Sequence, residues 1–182
     1  GRLSMTSRAQ RGFGLIEGLV TISVLAILAA VAIPSFQQMI VNGRTRTIAE
    51  SFRAGADLAR TEAMRRNMPV SFAAVSSDTG CSASTTGKSW VVFLGSTCDN
   101  NATVVQRFVA GGSEAGVTVS ATRSTLTFNG IGMTTGGNTA TVTFSNNLPD
   151  SQRRRLQLNV SAGGQTRLCD PGVTTSGDPR AC

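Results

Sequence analysis

Three groups of residues in this 182-residue chain carry side chains able to do chemistry: one carboxylate, Glu17, inside an apolar run; four cysteines; and arginines concentrated near the C-terminal end. The run from Phe13 to Ile33 is 21 residues long. As a helix it measures about 31 Å, enough to cross a hydrocarbon core of roughly 30 Å. A carboxylate at the centre of such a span costs on the order of 2.5 to 3.5 kcal/mol and somewhat less near an end, so Glu17 calls for a specific partner. The chain has no His and no Tyr, which removes the commonest general base and the commonest metal ligand. No G-x-S-x-G elbow, Walker loop, HExxH or Cys/His pair occurs, and a Ser-His-Asp triad is impossible. Asp150, Asp170 and Asp178 sit beside Pro, Ser or Gly and read as turn residues. The expectation is a protein that is not an enzyme and holds no cofactor.

Cys81, Cys98, Cys169 and Cys182 all follow the apolar run. With Arg2, Arg8 and Arg11 on the cytoplasmic side, as the positive-inside rule has it, the cysteines face an oxidising compartment. Three connectivities are open. Neighbouring pairs are expected: Cys81 with Cys98 around a Trp-bearing hairpin, and Cys169 with Cys182 pinning the C-terminal tail. Zinc is the competitor, but no spacing resembles C-x-x-C and there is no His, so no metal site is expected.

The arginines are Arg153, Arg154 and Arg155, then Arg167 after the Gly163-Gly164 pair, then Arg180. A hairpin turning at Gly163-Gly164 gathers them on one edge. Guanidinium forks suit phosphate through bidentate hydrogen bonds, so salt-sensitive DNA binding is one reading. The other is a solvated strand edge whose charge discourages edge-to-edge pairing. Consecutive strand residues alternate faces, so at most two of Arg153, Arg154 and Arg155 point the same way.

The elements that position these groups follow from patterning. The formal charge is +7; apart from the three leader arginines, 14 basic residues face 10 acidic ones, a moderate bias. After Pro34, the residues Phe36, Ile40, Ile48, Phe52, Gly55, Ala59 and Ala63 recur at helical spacing, predicting one helix from Phe13 to Arg66. Pro34 is expected to kink it or break its ladder, Asn42-Gly43 is a second weak point, and Pro69 closes it. Period-two patches then predict strands at Val70 to Val75, Trp90 to Leu94, Val104 to Val109, Val117 to Ser120, Thr125 to Phe128, Thr139 to Phe144, Leu156 to Val160 and Thr166 to Leu168. One long helix followed by strands is an α+β fold, with antiparallel sheet covering the helix's apolar stripe. A cleaved secretory signal peptide competes at the N-terminus, but the run is too long, lacks a small-x-small site and contains an acid.

The series Gly12-Phe13-Gly14-Leu15-Ile16-Glu17 after a short basic leader resembles the N-terminus of type IV pilins and type II secretion pseudopilins. Leu58-Ala59-Arg60-Thr61-Glu62-Ala63 with Arg65-Arg66-Asn67-Met68-Pro69-Val70 is similar to the ARxEAxxRxxPV segment of the GspH/FimT branch, and Ser89 to Phe93 and Leu126 to Gly130 resemble its strand motifs. The resemblance implies the pilin fold: a long N-terminal α-helix, transmembrane in its first half, on antiparallel sheet. It implies cleavage after Gly12 by a prepilin peptidase, N-methylation of Phe13, and assembly through Phe13, Glu17 and Pro34, with Glu17 meeting the terminal amine of a neighbouring subunit. The expected organisation is a leader at 1–12, a transmembrane and assembly half-helix at 13–34, and a periplasmic domain at 35–182, anchored in the bacterial inner membrane. Residues Gly1 to Ser4 read as an extension upstream of a start at Met5. The implied partners are other minor and major pilins, and the implied role is a minor pilin at the tip or initiation complex, or else the type II secretion minor pseudopilin H. Some members of the branch contact DNA through a C-terminal Gly-Arg-x-Arg. Here those positions read Gly164-Gln165-Thr166-Arg167, so only Gly164 and Arg167 carry over.

Overall fold

The computed structural model describes residues 14–99, 102–111, 115–175 and 177–182, without the side chains of residues 31 and 34. Gly12 and Phe13 lie outside the described residues. One helix, α1 (Leu15–Arg66), is followed by eight strands: β1 (Val70–Val75), β2 (Ser89–Leu94), β3 (Val104–Phe108), β4 (Val117–Ala121), β5 (Thr125–Phe128), β6 (Ala140–Asn146), β7 (Leu156–Val160) and β8 (Thr166–Cys169). The chain divides into two compact units, residues 1–37 and 38–182. Helical backbone includes both Pro34 and Asn42-Gly43, the two expected weak points.

In the second unit the strands form two antiparallel sheets, ordered β3-β2-β1-β5 and β4-β6-β7-β8. Every expected strand is present, and the antiparallel strands divide between these two sheets. The split arises because β5 returns to pair with β1, Val70 opposite Phe128, whereas β4 pairs with β6, Val117 opposite Asn146. Strands β4, β6 and β7 alternate buried and more exposed residues and so have one inward face. Strands β1 and β2 are buried on both faces. Their far side carries a second small core of Ala73, Val75, Val91 and Phe93, with Cys98 and Val104 packed on it.

The helix stripe differs from expectation at its start. Phe36 and Ile40 are exposed, and the buried face runs through Thr45, Ile48, Ala49, Phe52, Ala56, Ala59 and Ala63. Most of these are small, which lets both sheets approach α1 closely. Phe52, fully buried, touches Phe72 of β1 edge-on at 5.7 Å and Phe144 of β6 at 5.2 Å, joining the two sheets on one ring. Such a side chain contributes about 1.5 to 3 kcal/mol by burial, and each aromatic pair about 0.5 to 1.5 more. At Gly55 a β-carbon would lie 2.8 Å from ring atoms of both Phe72 and Trp90, so only glycine admits these rings.

Helix α1 ends through its own sequence. Asn67 adopts φ +50°, its N–H donates to the Met64 carbonyl, and the Met68 N–H reaches back to Ala63 at 3.2 Å. This is a Schellman cap with Asn in the left-handed position, and Pro69 prevents continuation.

Candidate functional site

The apolar half of α1 presents Leu15, Ile16, Leu19, Val20, Ile22, Val24, Leu25, Ile27 and Leu28 all exposed. Its hydroxyls are satisfied internally: Thr21 Oγ1 donates to the Gly18 carbonyl at 2.9 Å and Ser23 Oγ to that of Leu19 at 2.8 Å. Glu17 is exposed in the first turn of the helix, and its carboxylate has no partner among the described residues. Among the described polar side chains from Leu15 to Ile33, Glu17 is thus the one without an internal partner, the kind of group that is costly in an apolar environment.

The arginines fall into separate groups: Arg154 and Arg180 line one cavity, Arg153 and Arg155 a second, and Arg167 a third. Hairpin β7–β8 forms as expected, with Asn159 opposite Arg167 and Gly164 at φ +76° in the turn. Arg153, Arg154 and Arg155 precede β7 and alternate in direction. Arg153 and Arg155 both reach Asp150 Oδ1, at 3.4 and 2.8 Å, and line one cavity with it; Arg154 lines a different one. Arg167 donates from Nη2 to the Ala181 carbonyl at 2.7 Å, and Arg180 is paired with Asp178 at 2.8 Å. The hydrogen bond from Arg180 holds the Asp178 carboxyl down at about 2. On α1, bonds from Arg65 and then Arg66 hold Glu62 at about 2 in the same way.

Gly164 has a packing role. It is buried, and a β-carbon there would collide with the Gly132 carbonyl oxygen, which accepts a 3.1 Å bond from Arg60 Nε of α1. Arg60 and Gly164 thus lock the hairpin turn and the loop after β5 onto the helix. The cysteines pair as Cys81–Cys98, with Cα atoms 6.0 Å apart, and Cys169–Cys182, with Cα atoms 5.1 Å apart. The second bond joins a tail that also lies beside β8 through the Asp170 N–H to Arg180 carbonyl bond at 2.7 Å.

Asn42 ties α1 to the arginine segment. Its Oδ1 accepts from Asn146 Nδ2 and from the Arg154 N–H, both at 2.9 Å, while Nδ2 donates to the Gln152 carbonyl. No sequence signal marked it, since an isolated Asn before Gly in a helix reads as a defect. The Arg46–Glu50 pair at 2.6 Å, also unassigned from sequence, carried the i, i+4 spacing that could have found it.

The family model described as type II transport protein GspH matches residues 49–164, and the prokaryotic N-terminal methylation motif matches residues 7–33. The chain belongs to the GspH family. Two crystal structures of the Pseudomonas aeruginosa type IV minor pilin FimU have the same fold, with TM-scores of 0.57 and 0.55 at 19% and 18% identity. They cover 74% and 72% of this chain and 94% and 97% of those chains. Over 47 residues the chain is 40% identical to the type IV major alpha-pilin of Moraxella bovis and equally to its fimbrial protein Q. That stretch is 26% of this chain and 30% of each relative, so the chain spans under a third of the length of the curated relatives it matches. The GspH match ends at Gly164, so Arg167, the second disulfide and the tail lie beyond it.

Proposed function

We propose that this GspH-family chain is a minor type IV pilin, a membrane-anchored structural subunit that enters a pilus at its tip or initiation complex through its N-terminal helix. The observation that carries this reading is the unpartnered carboxylate of Glu17 on an exposed apolar helix, inside a matched methylation motif. Cleavage after Gly12 by a prepilin peptidase frees the amine of Phe13, which is then methylated. In lipid or in a filament core an ammonium and a carboxylate are each costly alone and far less so together, so Glu17 and a neighbour's terminal amine complete one another. The anchor lies in the inner membrane, with Pro34 near its end, and residues 35–182 lie in the periplasm, where the disulfides are stable. The work is assembly with other minor and major pilins, without catalysis. The test is co-isolation: the chain, cut at Gly12, is recovered with pili sheared from cells. Recovery only in the membrane fraction of piliated cells refutes it.

The family description favours a second reading, the minor pseudopilin H of a type II secretion system. Loss of secretion with intact pili on deleting the chain selects that reading. DNA binding during natural transformation has narrower support. Asp150 pairs with both Arg153 and Arg155 and Asp178 with Arg180, which leaves Arg154 and Arg167 as the arginines of this cluster not paired with a carboxylate. A gel shift of the full chain with double-stranded DNA decides: Arg167→Ala weakens binding and flattens its salt dependence, whereas unchanged affinity removes the DNA role.

A further inference from the structure

Of the seven large apolar side chains that stand exposed among the described residues of 38–182, four belong to one place: Met64, Met68, Ile131 and Met133. The loop after β5 runs back along the end of α1. Gly130 lies against Asn67, where a β-carbon would be 2.5 Å from Asn67 Oδ1, and Gly132 lies against Met64, where one would be 2.7 Å from Sδ. Ile131 and Met133 therefore flank the Met64 side chain, and Met68 follows Asn67. The loop is fixed: Asn129 Oδ1 accepts from the Ile131 and Met133 N–H groups at 3.2 and 3.0 Å, and Arg60 of α1 holds the Gly132 carbonyl. Apolar groups on backbone that is already ordered spare a ligand the cost of ordering it, and the methionine thioethers adapt to its shape.

The surroundings are basic. From Arg53 to the end of α1 four arginines stand against two acids: Asp57 lies 3.7 Å from Arg53, and Glu62 is shared by Arg65 and Arg66. Segments 67–75, 129–138 and 161–165 carry no charge, and Asp99 follows Cys98, which packs on the far side of β1 and β2. Two positive charges are left over, and the helix C-terminus, equivalent to about half a negative charge, offsets only part of them. An anionic membrane surface draws on clusters of about four to eight Lys and Arg, more than this excess supplies. A second copy of this chain is itself basic, at +7. We propose that the end of α1 and the loop after β5 form a docking surface for an acidic segment of a different polypeptide, with its apolar side chains on Ile131, Met133 and Met64 and its carboxylates beside Arg65 and Arg66. The surface is separate from Glu17 and from the arginines near the C-terminal end.

The test uses the full chain in neutral-detergent micelles with carbon-13 methionine methyl groups, followed by NMR. The probe is a short blocked peptide with leucines at helical spacing and glutamates between them. The expected result is a saturable shift of the Met64 and Met133 methyls, while Met39, exposed elsewhere on α1, stays in place and so excludes an effect of the peptide on the micelle. The same peptide with lysine for glutamate binds about tenfold or more weakly, and so does the Ile131→Ser protein, which loses apolar surface at a side chain 71% exposed. Arg65→Gln weakens binding and flattens its salt dependence. Val109→Ser, at an exposed apolar residue just after β3, leaves binding unchanged. Native Trp90 fluorescence in each variant separates loss of the surface from loss of the fold. Equal binding of the lysine peptide or retention in Ile131→Ser overturns the proposal. Larger shifts of the same methyls on adding phosphatidylglycerol to the micelles, or shifts with protein concentration alone, overturn it in favour of a lipid surface and of a second copy respectively.

Discussion

Substituting Gly55 by Ala places a methyl group where the aromatic core leaves no space. The β-carbon would sit 2.8 Å from Phe72 Cε2, 2.8 Å from Trp90 Cε2 and 2.9 Å from Trp90 Cδ2. Comfortable carbon–carbon separation is about 3.5 to 4.0 Å, so the rings or the helix must retreat by roughly 0.6 Å or more. Retreat is blocked: Trp90 is 3% exposed and stacked on Phe108 at 5.8 Å, and Phe72 is held edge-on to Phe52. Overpacking of this kind costs about 1 to 3 kcal/mol, and the better helix propensity of Ala returns about 1, for a net loss of up to about 2 kcal/mol. Gly43→Ala is the internal control, because nothing lies within 4 Å of its β-carbon and the residue is exposed. There the propensity gain stands alone, and a stabilisation of about 0.5 to 1 kcal/mol is expected. Urea unfolding of the full chain in micelles, read by the fluorescence of Trp90, the one tryptophan, gives both values. If Gly55→Ala is as stable as Gly43→Ala, the packing account of the helix–sheet interface is wrong.

Other consequences follow from the tail and the hairpin. Gly164→Ala drives a β-carbon into the Gly132 carbonyl at a positive φ, so it loosens the β7–β8 turn and raises limited proteolysis there; wild-type resistance contradicts this. Asp178, held at about 2 instead of the ordinary 3.8, stabilises the folded tail above its unfolded value, and this contribution disappears as pH falls from about 4 through 2. A carboxyl-carbon NMR titration of Asp178 shows a midpoint near 2, and a midpoint near 4 refutes the Arg180 bond.

Sequence periodicity made the helix and all eight strands legible, because alternation in β4, β6 and β7 follows directly from one wet and one dry face. It did not make the two sheets legible, since the pairing of β5 with β1 is non-local and leaves no local mark. Nor did it distinguish Phe36 and Ile40 from Ile48 and Phe52, which share one period although only the latter pair is buried. The arginines were visible as a cluster by number alone. Their pairing with Asp150 and Asp178, turn residues whose side chains point according to loop geometry, is encoded in no pattern. Glu17 was the opposite case: an acid in an apolar run is conspicuous in sequence, and the structure leaves it without a partner among the described residues.

The central claim is that Glu17 is an assembly group. The direct measurement is the fraction of chain recovered in sheared filaments relative to membranes for wild type, Glu17→Ala and Glu17→Gln. Membrane insertion in both variants equals or exceeds wild type, because the cost of a carboxylate in lipid is removed. Recovery in filaments falls sharply in both. Filament recovery at the wild-type level, with insertion intact, contradicts the account.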